Sequence, residues 1–60
     1  MTSKQINAIR RRIEHSISPA TAAQAGDGMT VDNIKQFICF YFLPSDIQLT
    51  RLANYLGVKI

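Results

Sequence analysis

The sequence predicts an all-α fold: a small cluster of three main helices, with a short fourth, completed by oligomerisation. Three observations lead there. Serine or threonine caps precede three segments whose apolar residues fit helical geometry. Gly26, Pro44 and Gly57 supply stops. The 60 residues suffice for one domain only, since chains commonly use roughly 100 to 200 residues per domain. With 47% hydrophobic and 18% charged residues, the chain is too apolar for a disordered tail. Its mean hydropathy is +0.01.

Ser3 is read as the cap of a helix from Lys4 to Ile17, where Ile6, Ile9, Ile13 and Ile17 form one narrow stripe. Lys4, Arg11 and His15 share the opposite face, and Arg10 and Arg12 flank the stripe. Pairs from Arg10 and Arg11 to Glu14 are expected on the solvated side. Residues 18–30 form a connector. Within it Ser18 and Pro19 suit the start of a short helix running through Ala25, and Gly26-Asp27-Gly28 is a flexible turn.

Thr30 caps a second long helix, with Asp32 in its first turn. Pro44 disfavours helical geometry at Leu43, so this helix is expected to span 31–43. Over that length its apolar residues surround the axis: Val31, Ile34, Ile38, Tyr41 and Phe42 cluster on one side while Phe40 points away. The run Phe37 to Leu43 also suits a buried strand, because a continuous apolar segment has no periodicity to arbitrate. Helix is the preferred reading. The last helix, 46–56, starts with a Ser45/Gln48 capping box and carries Leu49, Leu52, Ala53 and Leu56 as its stripe. Gly57 fits a left-handed stop, with Val58 making the accompanying apolar contact.

Net charge is +3 and local: Lys4, Arg10, Arg11 and Arg12 against Glu14 account for all of it within residues 1–18. Three arginines and a lysine invite phosphate contacts, so a nucleic-acid-binding regulator using Lys4, Arg10, Arg11 and Arg12 is the alternative function. No aromatic residue lies within the first 36 positions to stack on bases. Leu52-Ala53-Asn54-Tyr55-Leu56-Gly57-Val58 resembles the opening of a helix-turn-helix DNA-binding motif, in which a small alanine precedes a turn glycine. The resemblance covers Leu49 to Ile60. In that motif a recognition helix follows the turn, whereas Lys59 and Ile60 follow here.

His15 and Cys39 are the conventional base and nucleophile, without the orienting third group that catalysis by such a pair requires. The chain is therefore read as a non-enzyme with no cofactor and no metal. No signal peptide or membrane-spanning run is visible, and one unpaired cysteine fits a reducing, cytoplasmic setting. A chain this short buries only about 60% of its unfolded surface, which favours a homodimer, a larger protein partner, or both. The leading expectation is a small regulatory or inhibitory protein that binds another protein. Phe37, Phe40, Tyr41 and Arg11 are its expected anchors, with Arg10 and Arg12 at the edge.

Overall fold

The computed structural model describes all 60 residues and contains four helices and no strand. The helices are α1 (Ser3–Ser16), α2 (Pro19–Ala25), α3 (Val31–Ile38) and α4 (Asp46–Leu56). The isoleucine stripe of α1 lies against α3 and α4, while α2 closes the other side of the same two helices. Ile9 and Ile13 thereby meet Ala22, Ala23, Met29, Ile34, Phe37, Leu49, Leu52 and Ala53 in a single core. Ile6 and Ile17, at the ends of the stripe, are partly buried. The radius of gyration is 9.7 Å, close to the roughly 10 Å of a globular chain of this length, so the chain is compact.

Three of the four starts are reciprocal capping boxes. At α3, Thr30 and Asn33 exchange side-chain-to-backbone bonds of 3.1 and 3.1 Å. At α4, Ser45 and Gln48 do the same at 3.0 and 3.3 Å, as the sequence predicts. For α1 the cap is Thr2 rather than Ser3. A capping box needs an amide or carboxylate three residues on; Thr2 has Gln5, whereas Ser3 would have Ile6. The short helix α2 forms as expected, with Ser18 accepting the Thr21 N–H at 3.2 Å. In the glycine-rich turn after it, Gly26 is packed while Asp27 and Gly28 are exposed. A Cβ on Gly26 would stand 2.7 Å from Met29 Sδ, and Gln48 Nε2 donates to the Asp27 carbonyl at 2.9 Å.

The second long helix is shorter than its sequence predicts: it stops at Ile38, not at Leu43. The stop is a Schellman motif. Phe40 adopts a left-handed conformation with φ 69°, Tyr41 N–H donates to the Gln36 carbonyl at 2.8 Å, and Phe40 N–H to Phe37 at 3.2 Å. Glycine usually fills that position because side chains are strained there, so no residue type announced the end. Phe40 to Ser45 then runs as a non-helical connector with Pro44 buried, and the strand reading of Phe37 to Leu43 does not hold either. A helix apolar all round is thus avoided; its surplus apolar residues lie on a loop.

The stop of α4 follows the usual chemistry. Gly57 has φ 74°, and Val58 N–H reaches the Ala53 carbonyl at 2.9 Å. Val58 packs on the core, as do Leu52 and Ala53 from the segment resembling a helix-turn-helix opening. Nothing lies within 4 Å of a Cβ built on Gly57, so Gly57→Ala changes conformational preference alone. It is expected to lower stability by about 1 kcal/mol. Urea denaturation followed by circular dichroism checks this, and an unchanged midpoint would contradict it.

Candidate functional site

The three arginines of α1 differ in environment: Arg10 is buried, while Arg11 and Arg12 are exposed. Residues 10 and 12 are about 200° apart around a helix axis, so their side chains reach opposite flanks of the isoleucine stripe. Each finds the C-terminal end of a different helix. Arg10 Nε donates to the Phe37 carbonyl at 2.8 Å, in the last turn of α3. Arg12 Nη1 donates to the Leu56 carbonyl at 3.1 Å, at the end of α4. Carbonyls at a helix C-terminus lack intrahelical donors and carry the negative end of the helix dipole, which is where a guanidinium is stabilising. Arg11 lies between them and is exposed, with no hydrogen bond or ion pair.

Arg10 is only 8% exposed. Its guanidinium carbon sits 4.6 Å from the Phe37 ring centroid and 3.9 Å from that of Phe40, and Nη1 bonds Asn7 Oδ1. The two rings present their negative faces to the cation. Burial lowers the Arg10 pKa from its ordinary value, because desolvation disfavours the charged form. No carboxylate lies within ion-pair distance of it; the one ion pair in the chain is Arg51 with Asp27 at 3.8 Å, both exposed. The expected pairs from Arg10 and Arg11 to Glu14 do not form. Arg10 instead engages Phe37 through Nε and Asn7 through Nη1.

The predicted anchors divide in two. Phe37 is fully buried in the core, so it is corrected from a contact residue to a support. Arg10 likewise leaves the rim, being held beneath Phe40. Phe40 and Tyr41 remain on the surface at 73% and 86% exposure, and Leu43, which sequence reasoning missed, joins them at 61%. The left-handed turn at Phe40 makes this possible by lifting the chain off the helix before these side chains would be wrapped. Lys4 and Arg12 are exposed, as are His15 and the free Cys39.

A groove of about 320 Å³ runs between the first turns of α1 and this connector, lined by Ser3, Ile6, Asn7, Arg10, Phe40 and Leu43. Two other shallow grooves, of about 460 and 430 Å³, meet at Asp46 and Thr50 on α4. No group of three or more His, Cys, Asp or Glu side chains is placed to hold a metal ion. No helix is long and apolar enough to cross a membrane. No protein-family model matches the chain, and comparison with curated proteins and with solved structures finds no match.

Proposed function

We propose that the protein is a small, non-enzymatic binding protein of regulatory or inhibitory type, which acts by occupying a surface on a larger protein in the cytoplasm. The observation that carries this reading is the connector Phe40 to Leu43. Three large apolar side chains within four residues stand out in water, on a segment fixed by a left-handed turn at one end and a buried proline at the other. Clustered exposed apolar groups of this kind favour association, and a rigid backbone lessens the ordering that binding requires. Phe40, Tyr41 and Leu43 are the proposed anchors and Arg11 an exposed charge on α1, with Arg10 and Phe37 holding Phe40 in place from below.

Affinity capture from native lysate, with and without nuclease, tests this. Tyr41→Ser and Leu43→Ser change exposed positions, so both variants are expected to fold as the parent does while retaining roughly a tenth or less of the partner, or losing it. Capture that is indifferent to both substitutions would contradict the reading. A second reading, phosphate binding, rests on Lys4 and Arg11 being exposed and unpaired. With Arg10 withdrawn it has two free cations and a part-engaged Arg12, so the salt dependence should correspond to about two or three phosphates. Captured material that disappears with nuclease would favour it.

A further inference from the structure

The groove beside Phe40 combines two kinds of wall that recognise different halves of one ligand. Ile6, Phe40 and Leu43 are apolar, and Arg10 between them is a cation whose counterion is missing from the chain. Its Nε and Nη1 are taken by neutral acceptors, while Nη2 makes no hydrogen bond within the chain and is not sealed from solvent. The surroundings reinforce the sign. Lys4 and Arg11 stand on the outer side of the same helix, residues 1–18 sum to +3, and residues 36–45 carry no formal charge at all. A partly desolvated guanidinium with a free terminal nitrogen forms its strongest hydrogen bond with a carboxylate.

We infer that this groove takes an acidic, apolar peptide segment of another protein, with a carboxylate on Arg10 Nη2 and a neighbouring apolar side chain between Ile6 and Leu43, against the Phe40 ring. The inference rests on the binding function proposed above and specifies the chemistry of its partner. A second copy of the chain is the weaker fit. Symmetric docking through this face would bring two sets of Lys4, Arg10 and Arg11 together, and head-to-tail docking would build rings or open chains rather than a two-fold dimer. A nucleic-acid phosphate would leave the apolar walls uncovered.

The test uses the isotopically labelled full chain and three twelve-residue peptides: one alternating glutamate and leucine, one with lysine for glutamate, and one with serine for leucine. Saturable chemical-shift changes at Asn7, Arg10 Nε–H, Phe40 and Leu43 are expected with the first peptide. Binding should weaken at least tenfold with each of the other two, weaken with added salt, and weaken roughly tenfold in Leu43→Ser and severalfold in Arg11→Glu, both at exposed positions. Equal binding of the lysine or serine peptide, or no saturable shift at millimolar concentration, would overturn the inference. So would shifts at these residues that depend on protein concentration alone, which would assign the groove to a second copy, or tighter binding of a duplex oligonucleotide there. If no peptide binds yet capture of a protein partner still depends on Tyr41 and Leu43, the acidic-segment inference fails and the binding function stands. If both results are negative, both fail.

Discussion

Phe37→Ala is expected to bring the chain to the edge of unfolding. Phe37 is the largest fully buried side chain, and removing a buried phenyl ring typically costs about 3 to 5 kcal/mol through lost burial and the cavity left behind. At roughly 0.05 to 0.15 kcal/mol per residue, a domain of this length holds only about 3 to 9 kcal/mol in total. The ring also forms one face of the Arg10 cage, so the loss extends beyond the core. Urea titration at 222 nm should show a much lower midpoint or no cooperative transition. A variant as stable as the parent would mean that Phe37 is not at the centre of the core. The contrast with Tyr41→Ser is informative: substitution at 37 should remove binding by unfolding, and substitution at 41 should remove it from a folded chain.

Arg10→Ala should have the next largest effect, about 2 to 4 kcal/mol. A hydrogen bond from a charged donor contributes roughly 1.5 to 3 kcal/mol. The stacking against two rings and the position at the α3 C-terminus add about 1 to 2 kcal/mol, offset in part by the desolvation the cation no longer suffers. Arg10→Lys should not restore stability. An ammonium has no planar fork to lie between rings while donating sideways to a carbonyl. Recovery of parental stability by lysine would show that charge alone matters. Loss of Arg10 should also free Phe40 from its ring contact and weaken partner capture.

Much of the fold was legible because its signals are local. Thr30 with Asn33 and Ser45 with Gln48 are pairs three residues apart, and Gly57 needs no distant partner to adopt a positive φ. The stop of α3 was not legible for the converse reason. Phenylalanine at Phe40 has no intrinsic preference for the left-handed region; it is held there by the Gln36 and Phe37 carbonyls and by Arg10, 27 residues before Phe37 in the chain. The same tertiary bond withdrew Arg10 from the basic surface, and the turn at Phe40 left Leu43 exposed. Sequence placed Arg10 and Arg12 correctly on the flanks of the isoleucine stripe. What it lacked was the knowledge that two helix ends would arrive there, so Arg10 and Arg12 read as edge charges rather than as caps of α3 and α4.

The unfolding free energies of Arg10→Gln, Arg11→Gln and Arg12→Gln, by urea denaturation under one set of conditions, report on that division of the triplet. Each removes one positive charge from the same helix, so general electrostatic effects are matched. The structure requires a graded response: the largest loss for Arg10, which bonds Phe37 and stacks on two rings, and about 0.5 to 1 kcal/mol for Arg12, which bonds Leu56 at the surface. Arg11, which touches neither helix end, should change stability by no more than about 0.5 kcal/mol. Equal losses at the three positions, or a loss at Arg11 as large as that at Arg10, would contradict it.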